Sequence, residues 1–523
     1  QKLPAIEPAA QITSQTNWLF MPYRFVALGI PFCLRGKIMN KAFFNFKSAA
    51  AMQDRRRLHK LEELCKAMLK IALMFFISCA VAAAQTKTAT QTKPIAFTRV
   101  TIIDVVSGSA QPGMTVIITG DRITEVGQTG KIKIPRGAQI IDARGKFLIP
   151  GLWDMHTHLQ MAGETALTVM IARGVTGARD MGGGDFSQIK EWREKISRGT
   201  LLGPRIKAAG PILESPRFIA RMEQMTGQSL AGKRIGVANA DDARKAIASI
   251  KEMGADFIKI RTNASRDAYF AIVREARLAG LMLVGHTPTA ATLVEASDAG
   301  QHSMEHGFLL FGDLKEDQWK EICDHFTKNG TYVVPTLISG RSYRQTPDEE
   351  VMAIIDDKTG ARDERRRYVS PSLVEDWRMQ MEMKKKETPI DWKAIMDRNL
   401  RGIQIIHRAG VRLMAGTDLG VPLVFPGSSL HEELELLVKQ VGLTPLEAIQ
   451  SATLIPAEFF NMRDQLGSIE KGKLADMVLL DANPMDEIAN TRKIAAVVVN
   501  GRLITRSGIR TLLADAAAQT GRQ

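Results

Sequence analysis

The stretch FLIPGLWDMHTHL, residues 147–159, opens as an apolar run suited to a buried strand and closes on two histidines, His156 and His158. Residues i and i+2 of an extended chain project to one face, so both imidazoles point to the same side of the strand end. That is a geometry for gripping a cation.

Around this stretch the chain alternates between strand-like and helix-like texture. Short alternating segments at 97–105, 115–120 and 121–127, with a Gly120-Asp121 turn signal, precede it. The same texture returns at 475–481 and 493–504, the latter with an Asn500-Gly501 hairpin signal. The two ends predict one small β-domain, residues 94–149 plus 467–512, interrupted by a long insertion, residues 150–466. Beginning with the opening stretch, eight strand candidates lie at 147–154, 175–180, 205–210, 256–261, 281–285, 303–305, 332–336 and 411–416. Helical spacing of apolar residues falls between them, as in 241–253, 265–279 and 394–409. Repeated βα units with eight strands predict an α/β fold, a closed (β/α)8 TIM barrel whose active-site residues sit at the strand C-terminal ends. The polar tract 341–393, with its charge runs at 365–367 and 384–386, reads as a solvated helical excursion after strand seven.

The chain has nine histidines, and four fall at predicted strand ends: His156 and His158 after strand one, His286 in LVGHT after strand five, His306 in SMEHG after strand six. Asp418, in AGTD, ends strand eight. A single buried histidine is most often a satisfied core residue. Four imidazoles and a carboxylate at one barrel mouth instead match the ligand preferences of zinc or a similar divalent ion. Lys259, in ADFIKIR, ends strand four between Ile258 and Ile260. It either snorkels outward as an ordinary lysine or buries its amine beside metal, where a cation is strongly disfavoured. A neutral amine there that captures carbon dioxide becomes an anionic carbamate with two oxygens, able to bridge two ions. Residues 182–184, all glycine, read as a mobile loop, with no following Lys-Ser/Thr to make a phosphate cradle. Asp180 is a candidate support for the ligands. His431, in SSLHEELELL, is a candidate either to touch substrate or to cap its helix.

These segments, with ARGVTGARD, GLTPLEAIQSATLIPAEFF and GSIEKGKLADMVLLD, resemble the amidohydrolase superfamily over about residues 95–510. Within it they are similar to the branch that groups imidazolonepropionase-related hydrolases with metal-dependent Xaa-Pro dipeptidases. The resemblance implies a (β/α)8 barrel with a urease-like composite β-sandwich. It further implies two divalent metal ions, zinc foremost. His156, His158 and Asp418 would hold the more buried ion, His286 and His306 the second, with carboxylated Lys259 and a hydroxide bridging them. Mononuclear deaminases of the superfamily typically carry Glu three residues after the strand-five histidine, where Thr289 stands here. That departure favours two ions and hydrolysis, with Asp418 as general base and then acid. The implied activity is cleavage of an amide C–N bond in a dipeptide or N-acyl amino acid. A cyclic-amide or lactone hydrolase on the same site and a non-catalytic barrel scaffold are the alternatives. The segment GPILESPRF after strand three lacks the Gly/His-rich sequence of close relatives, so their substrate contacts do not transfer to it.

Composition sets the remaining bounds. At 523 residues, 45% apolar and 24% charged, the chain suits a globular barrel plus a smaller domain. Of its net charge of +14, residues 1–84 supply 12 Lys and Arg against 4 Asp and Glu. The rest is a mild bias, and no basic stripe interleaved with aromatics marks nucleic-acid binding. The expected partner is a small-molecule substrate, without stable membrane insertion and with homo-oligomerisation open. From Met68 the chain reads MLKIALMFFISCAVAAAQ: Lys66 and Lys70, an apolar run at 71–81 and small residues at 82–84 make a signal peptide over 68–84, cleaved before Gln85. A short buried helix is the alternative reading. Residues 1–67 would then be an unstructured upstream extension, and the mature protein periplasmic or secreted. Cys79 sits in a weak lipoprotein-box context with Phe76 at an atypical place. Only Cys323 of the four cysteines follows Gln85, which leaves the mature chain no intramolecular disulfide or thiolate metal cluster. N-terminal sequencing of exported protein should begin at Gln85; a first residue well before it would contradict the cleavage reading.

Overall fold

The computed structural model describes residues 93–306, 314–387 and 390–522, with Glu63 and Met68. The upstream extension and signal peptide expected over 1–84 otherwise lie outside the described residues. Strand β1 (Ile95–Asp104) pairs antiparallel with β2 (Ser109–Thr119), and β2 with β3 (Arg122–Gln128). Strands β4 (Gln139–Asp142) and β5 (Phe147–Pro150) run parallel to β1. Alternation in β1 and β2 turns Phe97, Val100, Ile102, Val116 and Ile118 to one apolar cluster with Leu148.

The opening stretch divides at Gly151. Strand β5 stays with this first sheet, whereas β6 (Leu152–Thr157), buried throughout, begins the barrel. A Cβ on Gly151 would lie 2.0 Å from Thr176 Oγ1, so the crossing between the two sheets requires glycine. The single strand expected over 147–154 is thereby corrected to two. The barrel continues through β7 (Val175–Asp180), β8 (Arg205–Ala208), β9 (Ile212–Glu214), β10 (Arg234–Gly236), β11 (Phe257–Ile260), β12 (Met282–His286), β13 (Gln301–Glu305) and β14 (Tyr332–Val334). All pair in parallel, in the orders β6-β7-β8 and β10-β9-β11-β12-β13-β14, and a bridge from Ala209 to Phe257 joins the two runs. Helices between the strands are locally specified: Ala240–Met253 starts on an Asn239 cap and ends at left-handed Gly254, and Arg266–Ala279 starts on Ser265 and ends at Gly280.

Strand eight, expected at 411–416, is not a regular strand. Single hydrogen bonds close the ring there: Met414 N to Val333 O, Met155 N to Ala415 O, Asp418 N to His156 O and His158 N to Leu419 O. Gly416 fits because a Cβ would sit 2.9 Å from the His156 backbone nitrogen. Strand three is likewise broken, with β8 ending at Ala208 and β9 resuming beyond Pro211.

After the barrel, β15 (Met477–Leu480) pairs antiparallel with β5, and β16 (Ile494–Val499) and β17 (Arg502–Thr505) extend the sheet, so one eight-stranded sheet draws on both ends of the described chain. Helix Arg506–Arg522, not anticipated from sequence, packs Ile509 with Ile171 and Val497. The tract after strand seven is packed rather than solvated. Helix Pro371–Lys384 buries Leu373, Val374, Trp377 and Met381, with Trp377 edge-on to Phe425. Arg366 is itself buried and donates to Ile355 O at 2.9 Å, while Arg365 pairs with Asp363 and Glu432. The dense charges had masked an apolar stripe at three- and four-residue spacing. Among the described residues no helix is long and apolar enough to cross a membrane.

Gly285, at φ 142°, would place a Cβ 1.9 Å from Ile260 O across the β11–β12 ladder. Gly285→Ala should destabilise by about 3 kcal/mol or more through overpacking and backbone strain. Gly280→Ala, with nothing within 4 Å of its Cβ, should cost about 1 kcal/mol from its positive φ alone. Denaturant unfolding of the two variants checks the contrast.

Candidate metal centre

Strand β6 delivers His156 at its end, and His158 follows just past it. His156 Nδ1 is 2.8 Å from Glu305 Oε2, which leaves Nε2 facing Asp418 Oδ1 at 3.4 Å. His158 Nδ1 donates to Gly182 O at 2.7 Å, and its Nε2 lies 3.4 Å from the same Asp418 oxygen. His306, just past β13, sets Nδ1 2.8 Å from Thr336 Oγ1 and 3.8 Å from Asp418 Oδ2. Ligand atoms of His156, His306 and Asp418 all lie within 4.8 Å of one another, a site able to hold a metal ion. His286 ends β12, its ring 4.8 Å from that of His306, which in turn is 4.5 Å from His156. His306 thus stands between the His156/Asp418 side and His286.

Lys259 reaches the same place from β11. Its side chain is buried, and its Nζ has no hydrogen-bond partner among the described residues; the same is true of His156 Nε2. Unpaired polar atoms buried from water are costly, and two in one cluster of nitrogen and oxygen donors fit a divalent cation. Burial brings the Lys259 amine down to about 8, so a neutral fraction exists near neutrality. Burial, then the charge at Lys259, holds His156 and His286 far below the ordinary imidazole value, and burial takes His306 to about 4. These three rings are therefore neutral, with lone pairs to give. Burial alone would raise the Asp418 carboxyl, but His306, His156 and His158 together hold it well below the usual range, as an anion.

The supports around these groups were harder to foresee. Glu305 and Arg179 are both fully buried. Arg179 donates Nη2 to both Glu305 oxygens at 2.9 and 2.7 Å, Nη1 to Ser303 Oγ at 3.0 Å and Nε to Met155 O at 2.5 Å. Glu305 thereby fixes the His156 tautomer from behind. The only sequence signals were Glu beside His in SMEHG and Arg before Asp180 in ARGVTGARD. Asp154 ties strand one to the eighth segment, accepting from His156 N, Thr417 N and Thr417 Oγ1, and burial raises its carboxyl to about 7. Asp180 touches no candidate ligand ring; it accepts from Leu159 N and Gly182 N, holding the turn whose carbonyl orients His158. That turn is no mobile loop: Gly182 is buried, at φ 76°, and a Cβ on it would meet Gly210 O at 2.5 Å.

Three non-glycine residues at strand ends adopt left-handed backbone: His306 (φ 67°), Thr336 (φ 46°) and Asp418 (φ 62°). Such conformations persist only where the surroundings enforce them. Glu433, buried, accepts Leu337 N and Ile338 N and so holds the chain just after Thr336. His431 departs from both sequence readings. Its Nδ1 engages Thr491 Oγ1 and its Nε2 the Arg173 carbonyl, each at 2.9 Å, so no ring nitrogen is left for substrate, and Gly427 is the helix cap.

Glu305→Gln should weaken metal affinity about 10- to 100-fold, measured by chelator competition. Arg179→Met, which strands a buried carboxylate, should cost about 3–5 kcal/mol of stability in denaturant unfolding.

The chain is similar to several known proteins. Ochratoxinase of Aspergillus niger is 24% identical over 460 residues, covering 77% of this chain and 86% of that one. An imidazolonepropionase of Fusobacterium nucleatum is 24% identical over 408 residues, covering 71% and 85%. A solved structure from Bifidobacterium longum, assigned as a prolidase, superimposes with a TM-score of 0.63 at 26% identity, over 82% of this chain and 99% of that one. The profile of the amidohydrolase family matches residues 147–504, from β5 to β17, and the chain belongs to that family.

Proposed function

We propose that the protein is a binuclear, metal-dependent hydrolase of amide C–N bonds, acting on dipeptides or N-acyl amino acids after export. The observation that carries this reading is Lys259 Nζ, buried without a partner in range of His156, His286, His306 and Asp418. As a carbamate, Lys259 would become an anionic ligand for the metal, and the cation that would otherwise oppose it would be gone. His156, His158 and Asp418 would hold one ion, and His286 and His306 the other, zinc being consistent with the imidazole and carboxylate donors. The ions, when bound, supply Lewis acidity, making water acidic near neutral pH and polarising a carbonyl.

The residues of the chain do the rest. Asp418, anionic at neutral pH, accepts the proton of the attacking water and delivers it to the leaving nitrogen as the C–N bond breaks, giving a carboxylic acid and an amine. His156 is held in one tautomer by Glu305, and His158 by the Gly182 carbonyl, so both present fixed lone pairs throughout. Similarity to a structure assigned as a prolidase supports the dipeptide reading. Similarity to an imidazolonepropionase favours a second reading on the same site, hydrolysis of a cyclic amide.

Elemental analysis of gently purified protein should find close to two divalent ions per chain. Lys259→Ala should lose at least one of them and lower kcat/KM on its best dipeptide or N-acyl substrate by about a thousandfold or more. Full activity with two ions retained would refute the bridge, and a chain that binds no metal would support the scaffold alternative.

A further inference from the structure

We propose that Arg261, held against Glu214 with Arg234, forms a subsite beside the metal centre that binds the free carboxylate of the substrate; this rests on the hydrolase reading above. Strand β9, the unforeseen continuation of strand three, ends on Glu214, whose side chain is completely buried. One of its oxygens accepts from Arg234 and lies 3.5 Å from Arg261 Nη1; the other accepts from Thr262 Oγ1 at 2.6 Å. Two guanidinium groups therefore share a single carboxylate, and one positive charge is left over.

The surplus lies next to the candidate ligands. Arg261 follows Lys259 by two residues, just past the end of β11, where its backbone nitrogen continues the pairing with β9 through Leu213 O at 3.1 Å. Its side chain consequently leaves the strand on the same face as that of Lys259. Its charge also registers at Lys259 and His286. Arg234 borders the other side: a Cβ built on Gly183 would be 3.8 Å from His158 Nδ1 and 4.0 Å from Arg234 Nη2.

The two arginines are not equivalent. Arg234 is largely enclosed, with its charge spent on Glu214, whereas the Arg261 side chain is 34% exposed and its guanidinium makes no hydrogen bond among the described residues. Phe218 supports it from one face, with the guanidinium carbon 4.6 Å from the ring centroid. An arginine fixed in orientation by an aromatic face and a buried carboxylate, with donors still open, suits planar, two-point recognition of a carboxylate. The ligand class is thus the carboxylate next to the scissile amide of a dipeptide or N-acyl amino acid, rather than a neutral amide or ester.

The test uses probes with no carbonyl to cleave: N-methanesulfonyl-L-phenylalanine, N-methanesulfonyl-L-proline and the C-terminal amide of each. Binding to the metal-loaded full chain is measured by calorimetry, with hydrolysis of the corresponding N-acetyl compounds followed in parallel. At least one acid should bind about 10- to 100-fold tighter than its amide. That ratio should fall to within about twofold in Arg261→Met and return in part in Arg261→Lys, with circular dichroism confirming that both variants are folded. Equal binding of acid and amide, binding of no acid, or a preference that survives in Arg261→Met would overturn the proposal. Hydrolysis without acid preference would leave the hydrolase reading standing and remove the subsite; acid preference lost in Arg261→Met without any hydrolysis would do the reverse.

Discussion

An ion pair sealed from water holds this site together. Arg179 and Glu305 meet in the barrel interior, where an unpaired charge of either sign would be strongly destabilising. Each is bound to the other by two hydrogen bonds, and Glu305 also accepts from Ser303 Oγ and engages His156 Nδ1. The pairing reaches across the barrel from β7 to β13 and ends on β6. The imidazole is thereby presented in one tautomer and one orientation before any ligand arrives. Arg179 also lies over the Phe459 ring, at 5.3 Å from its centroid, so the network is tied to the apolar packing beneath it.

Around this anchor the strand ends are bent into place at a cost. His306, Thr336 and Asp418 all occupy left-handed backbone, and each has its own restraint. His306 leans on Thr336, the segment after Thr336 is clamped by Glu433, and Asp418 is tied to His156 by a backbone hydrogen bond. Side chains from separate strands can converge on one point only if some of the backbones leave the ladder direction. The irregular eighth segment is where that departure is greatest, which is why barrel closure rests there on single hydrogen bonds.

Much of this was legible in the sequence. Eight βα repeats and histidines at strand ends mark the barrel and its mouth, because period-2 and period-3.6 patterns are local properties of the chain. The candidate ligands were visible for the same reason: His156, His286 and Asp418 each close an apolar run. What was not legible is long-range. Nothing in SMEHG says that Glu305 meets Arg179, 126 positions earlier in the chain, and nothing in LHEELELL says that His431 is consumed by Thr491 and Arg173. The sequence around Gly151 reads as one strand because the close approach of Thr176 arises only when two sheets are assembled. The charged tract 341–393 misled for a related reason, since its buried stripe and buried Arg366 are set by partners elsewhere in the chain.

Lys259 separates a two-ion site from a one-ion site, since its buried amine is compatible with the former only as a carbamate. The most direct measurement is carbon-13 NMR of the chain reconstituted with divalent metal and labelled bicarbonate. One labelled carbamate carbon per chain is expected, dependent on metal and absent from Lys259→Ala. Two bound ions with no label incorporated would contradict it.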